Sequence, residues 1–232
     1  MILGRGLLAS SFRDTYSDNN KYIIFASGVS NSRESDLKEF NREIQLFSNL
    51  DLSNSHIVYF SSCAIYDLSL QNSPYIQHKL RMEGLVSSST YYTIFRLPQL
   101  IGKTLNRFTL VNYIYYKILN DEFFDLWVNA KRNFLDIDDA YLVMDYILKN
   151  ELGLNKVINI ASPHSSYVSE LVSVFEDVLN KKAKYIKAEI LSSYEIDISL
   201  CKNVFDELNL HFYNNYLNST IKKYFPLDGN SL

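Results

Sequence analysis

Strand-like and helix-like stretches alternate along this chain from its first residues, and that alternation limits the folds open to it. Apolar runs of strand length lie at 1–3 (MIL), 21–28 (KYIIFASG), 56–62 (HIVYFSS), 91–98 (YYTIFRLP) and 156–162 (KVINIAS). Between them, helical patterning predicts helices over 7–15, 32–50, 73–88, 108–120 and 138–150, with another at 165–182. In 32–50 the apolar residues Leu37, Phe40, Ile44 and Phe47 recur at three- and four-residue steps. Ser73 is the candidate cap of the helix at 73–88, with Pro74 at its first position, where a missing N–H costs nothing. Asp138 or Asp139 is the candidate cap at 138–150. Parallel strands need crossovers, and the crossovers cover the sheet. The expectation is therefore an α/β fold: a parallel sheet with helices on both faces. Segments 123–128 and 132–137 read as a pair of short strands joined by Asn129-Ala130-Lys131, 184–190 as a further strand, and the tail as two short helices.

The bulk numbers exclude several classes. The 232 residues suffice for a single domain with a small lobe. The net charge of −3 gives no basic field to draw in nucleic acid or an anionic membrane. No apolar run reaches the roughly 18 residues of a membrane span. No signal leader is visible, and the two cysteines, Cys63 and Cys201, have no metal-ligand spacing. A reduced cytoplasmic protein is expected.

In open parallel sheets ligands sit at the carboxyl ends of the strands. The residues just after the strands are Gly4–Gly6, Ser27–Ser30, Ser61–Tyr66 and Pro98–Gly102. Gly4-Arg5-Gly6-Leu7-Leu8-Ala9 forms a turn between a strand and a helix, where backbone amides can approach a pyrophosphate. The same spacing also serves a plain connection that binds nothing. Tyr75 and Lys79 stand four apart on one helix face. A nearby ammonium favours phenolate, so this pair is a candidate acid–base couple, or simply a surface lysine beside a half-buried tyrosine. Ser61 and Ser62 end a strand and can orient a substrate oxygen or satisfy the backbone there. Cys63 reads as a small filler. Arg132 can clamp a phosphate or lie solvated on a strand. His56, His78, His164 and His211 form no ligand pattern.

The glycine turn, a strand ending FASGVS, a helix carrying Asn41, then YFSSCAIY, YIQHK, FRLPQLIG, RNFLDIDDA and VINIAS follow one another in order. As an ordered set they resemble the extended short-chain dehydrogenase/reductase family, the NAD-dependent epimerase/dehydratase group that acts on nucleotide sugars. The resemblance spans residues 1–180 and continues weakly to the tail. It implies a Rossmann-like sheet with a small C-terminal substrate-binding lobe, contributed by 121–137 and 183–232. By the same resemblance Tyr75, Lys79, Ser62 and Asn41 form the catalytic set. Gly4, Arg5, Gly6, Leu7, Leu8, Ala26, Ser27, Gly28, Ser61, Tyr75, Lys79, Leu97 and Pro98 hold NAD or NADP. Arg96 belongs to the segment beside the nicotinamide, and Ser62, Gln99 and Arg132 meet the nucleotide-sugar substrate, with Arg132 on its phosphates. The family also implies a homodimer and a place in polysaccharide biosynthesis.

Three departures qualify this. Leu3 stands where the family has its first glycine, with Gly4 beside it. The strand beginning at position 22 resembles the family's fourth, yet it arrives sixteen residues after Gly6. The second and third strands, with the acid that holds the adenosine ribose, have no room. A trimmed sheet is expected, with the first strand near an edge and the adenine poorly enclosed; Arg5 or Arg13 reaching a phosphate would favour NADP. Finally, Cys63 and Ala64 occupy the places of the acidic pair that dehydratases carry. Reduction or epimerisation is thus expected, with a non-catalytic nucleotide-sugar-binding or assembly protein, its dinucleotide site eroded, as the alternative.

Overall fold

In this computed structural model residues 1–226 are described. In chain order the first elements are β1 (Ile2–Leu3), α1 (Leu7–Tyr16), β2 (Tyr22–Phe25), α2 (Leu37–Ser48), β3 (His56–Ser62), α3 (Pro74–Ser87), β4 (Tyr92–Leu97), β5 (Gln99–Ile101) and α4 (Leu110–Leu119). There follow β6 (Phe123–Trp127), β7 (Lys131–Asp136), α5 (Ile137–Lys149), β8 (Lys156–Asn159), β9 (Ser165–Tyr167), α6 (Val168–Leu179), β10 (Lys184–Ala188), α7 (Ser199–Glu207) and α8 (Tyr216–Tyr224).

Five strands form one parallel sheet in the order β1-β2-β3-β4-β8. Side chains alternate across it. Ile24, Val58, Phe60 and Phe95 meet Phe12 and Tyr16 of α1 and Val143 and Met144 of α5. Phe25, Tyr59 and Ile94 point the other way, onto Phe47 of α2 and Met82 and Val86 of α3. Strands covered on both faces read as near-continuous apolar runs, which is how β3 reads. β1 is the edge strand, paired through Ile2 and Leu3 to Ile24 and Phe25. Residues 17–21 alone join α1 to β2, too short a link for another parallel strand with its crossover.

A second core gathers Val111 and Ile114 of α4, Leu171 and Phe175 of α6, Ile221 of α8, and Phe124 and Leu126 of β6. The strands here correct one expectation. Segments 123–128 and 132–137 do not pair with each other: β6 pairs with β10 in parallel, and β7 lies between β5 and β9. The backbone at the supposed hairpin turn is engaged elsewhere. Lys131 N–H donates to Ser192 O and Ala130 O accepts from Val168 N–H, both at 2.9 Å.

The helix starts shift as well. α5 is capped by Asp136, whose side chain accepts from Asp138 N–H. Asp138 and Asp139 fall in its first turn instead, where negative charge suits the helix dipole. α2 starts at Leu37 behind the cap Asp36, and 165–167 form β9 before α6 begins. Cys201, Val204 and Phe205 of α7 pack into the main core beside α5, and α4 and α6 supply much of the second. Among the described residues no helix is long and apolar enough to cross a membrane, and no group of His, Cys, Asp and Glu could hold a metal.

Candidate active site

A cleft of about 410 Å³ opens at the carboxyl ends of β1 to β4. Gly4, Arg5, Gly6, Leu7 and Leu8 form one wall, and Ala26, Ser27 and Gly28 follow β2 on the floor. Ser61, Ser62, Tyr75, Lys79, Leu97, Pro98 and Gln99 complete the far side. Every position assigned to the cofactor by sequence lies on this one surface. Arg42, Asn106 and Phe108 line it too and were not foreseen. Asn106 Nδ2 donates to Ser30 Oγ at 3.0 Å, joining the loop before α4 to the loop after β2.

The glycine turn is forced by contact. Gly4 has φ +126°, and a Cβ there would stand 2.3 Å from Ala26 O. α1 starts at Gly6 with no side-chain cap and no acid in its first turn. Its free N–H groups and positive dipole end face the cleft, an arrangement suited to phosphate. Arg5 is exposed beside them and makes no ion pair among the described residues. Ser61 lines the cleft, and its buried Oγ has no hydrogen-bond partner among the described residues. An orphaned buried hydroxyl is costly and marks a place for a ligand atom.

Tyr75 and Lys79 are placed by α3, whose cap Ser73 Oγ accepts from Ile76 N–H at 3.3 Å. Tyr75 is 6% exposed. Burial pushes its phenol up to about 12, while the nearby Ser62 hydroxyl pulls the other way. The expected lowering by Lys79 is not what sets this phenol. Lys79 Nζ stands 5.9 Å from the Tyr75 ring centroid, but it donates to Tyr59 Oη at 3.0 Å, Phe60 O at 3.4 Å and Glu43 Oε1 at 3.5 Å.

Glu43 is the residue that the sequence reading missed. It is fully buried and accepts from Val29 N–H at 2.6 Å, Tyr59 Oη at 2.7 Å and His78 Nε2 at 2.9 Å. Burial alone would raise its carboxyl, but the Lys79 charge and these hydrogen bonds outweigh burial and hold it at about 2. Burial in turn lowers the Lys79 ammonium against the pull of Glu43. Asn41, expected to support the site, is instead exposed on α2. Two positions along a helix turn a side chain by about 200°, so Asn41 and Glu43 face opposite ways. The signal was an acid in the apolar phase of α2, since Phe40, Glu43 and Phe47 are its buried residues.

Two arginines also depart from expectation. Arg132 lies outside the cleft lining. Its guanidinium donates to Lys131 O at 2.7 Å, Ser192 O at 2.9 Å and Ser192 Oγ at 2.9 Å. It also stands 3.4 Å from the buried Asp67 carboxylate. Arg132 thus ties β7 to the 192 segment, its two terminal nitrogens engaged there. Arg96 grips Glu83 through two bonds of 2.9 and 2.7 Å and donates to Tyr66 Oη at 2.7 Å, and it is the following Leu97, Pro98, Gln99 and Leu100 that reach the cleft. Arg13 does not line it. Cys63 is buried filler: burial pushes its thiol up, and Sγ donates to Arg96 O.

No protein-family model and no curated protein sequence matches the chain. Solved structures share its fold. The UDP-N-acetylglucosamine 4-epimerase from Bacillus cereus superposes with a TM-score of 0.69 at 19% identity, over 96% of this chain and 93% of that one. The dTDP-glucose 4,6-dehydratase from Bacillus anthracis, in complex with NAD, gives 0.67 at 17% identity, over 93% and 75%. The UDP-glucuronic acid 4-epimerase from Bacillus cereus, in complex with UDP-glucuronic acid and NAD, gives 0.67 at 15% identity, over 95% and 77%.

Proposed function

We propose that the protein is an NAD(P)-dependent epimerase or reductase of the extended short-chain dehydrogenase/reductase type, acting on a nucleotide-linked sugar. The observation that carries this is convergence. The glycine turn, the free helix start, the orphaned Ser61 hydroxyl, Ser62 and Tyr75 all line one cleft, with Lys79 at its base. The names of the similarly folded proteins, 4-epimerases and a 4,6-dehydratase of nucleotide sugars, support the substrate class.

The diphosphate and nicotinamide side of the cofactor fits the residues present. Amides of the turn and of the α1 start would hold the diphosphate, and Arg5 would add a charge. A bound ligand atom would give Ser61 Oγ its missing partner. When bound, the nicotinamide supplies or accepts a hydride. Ser62 aligns the sugar oxygen toward Tyr75. Tyr75, a phenol that burial keeps protonated to about pH 12, is placed to donate its proton to a substrate carbonyl oxygen. Lys79 lies beneath the ring, charge-paired to Glu43. The two positions after Ser62 are a buried thiol and Ala64, so no carboxylate stands there for eliminating water. This favours epimerisation or reduction over dehydration.

The test is Tyr75→Phe assayed on a panel of UDP- and dTDP-sugars with NAD(H) and NADP(H). Turnover is abolished while circular dichroism is unchanged; undiminished turnover overturns the mechanism. One observation favours a second reading, a non-catalytic nucleotide-sugar binder: the Lys79 charge is neutralised by Glu43 rather than aimed at the Tyr75 oxygen. Calorimetry separates the two, because that reading requires no heat from either dinucleotide at millimolar concentration.

A further inference from the structure

We infer that the cleft binds a nicotinamide dinucleotide through its nicotinamide, ribose and diphosphate alone, and leaves the adenosine in solvent, its base and 2′-substituent unread. This deepens the proposed function and rests on it.

The ground is the strand order. A dinucleotide-binding sheet consists of two mononucleotide halves on either side of its first strand, and the ligand lies across the crevice where the order reverses. Here the order β1-β2-β3-β4-β8 never reverses, and β1 is the edge. The half on the inner side of β1 is present, with its turn, its helix start and the ends of β2 and β3. On the outer side no strand stands among the described residues. The connection from Tyr16 to Tyr22 cannot supply one, since a parallel strand needs a crossover of a dozen residues or more.

The lining agrees. An adenosine ribose is ordinarily held by a carboxylate at the end of the neighbouring strand. No Asp or Glu lines this cleft. Beyond the turn the lining is drawn from the ends of β2, β3 and β4 and from the segment before α4, including Ser61, Tyr75, Asn106 and Phe108. Its one exposed, unpaired cation at the turn is Arg5, at the diphosphate end. A 2′-phosphate finds no second free cation there: Arg42 lines the cleft but donates to the Glu39 carboxylate and to Ser27 O, and Arg13 lies outside it. The expectation that Arg5 or Arg13 favours NADP is therefore replaced by indifference.

The experiment is isothermal calorimetry on the full chain with NAD⁺, NADP⁺ and nicotinamide guanine dinucleotide, then NMN, with AMP as competitor. The three dinucleotides bind with Kd values within about threefold of one another, less than 1 kcal/mol apart. AMP at millimolar concentration displaces none of them. Arg5→Ala weakens all three by the same factor. A preference above about thirtyfold for any one dinucleotide, or displacement by AMP, overturns the inference and leaves the proposed function standing. Absence of binding by all three removes the proposed cofactor and the inference together.

Discussion

Replacing Glu43 by glutamine keeps the side chain's shape and removes its charge. Lys79, 2% exposed, then loses the carboxylate it pairs with. Breaking one side of a buried pair costs about 3–5 kcal/mol, a large share of the stability of a typical domain. For a chain of this length that lowers Tm by roughly 10 °C. The pH dependence gives a second reading. The folded-state pKa of Glu43 is depressed from 4.5 to about 2. Its contribution is therefore complete above pH 4.5 and drains away as the pH falls toward 2. At full size it is about 3 kcal/mol, offset in part by the cost of burying Lys79. Urea unfolding of both proteins at pH 7, 4.5 and 3 measures this. The gap between them is widest at pH 7 and narrows with acid. A gap under about 1 kcal/mol at pH 7, within the range of ordinary surface changes, refutes the reasoning; so does a gap unchanged at pH 3. Adding Lys79→Met to the variant recovers most of the loss if uncompensated charge is the cause. No recovery would assign the cost to packing and hydrogen bonds instead.

Gly4→Ala must adopt φ +126° with its Cβ 2.3 Å from Ala26 O. Strain of about 1–3 kcal/mol from the backbone alone is expected to lower Tm in differential scanning fluorimetry and to abolish dinucleotide heat in calorimetry. Ser61→Ala has opposite effects on the two quantities: it removes an unsatisfied buried hydroxyl, so the free protein gains up to about 1 kcal/mol in urea unfolding. Its dinucleotide affinity falls, and a variant that loses stability contradicts the orphan assignment. Arg132→Ala leaves the buried Asp67 carboxylate with its serine partners alone. It should cost about 3 kcal/mol of stability while the KM for the sugar nucleotide stays within about twofold; a raised KM at unchanged Tm would reinstate Arg132 as a phosphate ligand.

Most of the site's location was legible because it depends on local rules. Strand ends in a parallel sheet, a glycine turn and a helix start are each encoded by a few adjacent residues, and all of them meet in the cleft. The buried cluster around Glu43 was not legible in the same way. Glu43 of α2, Tyr59 of β3, and His78 and Lys79 of α3 come from three separate elements, and only their packing brings them together. The acid between Phe40 and Phe47 was visible as an anomaly in an apolar helix face, but family resemblance drew attention to Asn41, on the opposite face. The small strands β5 and β9 were invisible for a related reason. Three residues carry no period, and β7, lying between them, decides that they are strands.

The one-directional strand order also bears on how the chain is made. Synthesis delivers a chain from its N-terminus. Here β1, β2, β3 and β4 lie side by side in the order in which they emerge. Each new strand therefore finds its partner already in place at the growing margin, and none has to pass back across the first strand. Short sequence separation between partners favours rapid pairing. The late step is β8, which reaches β4 only after residues 98–155 have been delivered. The cleft walls from Gly4 to Pro98 can thus come together before the second core exists.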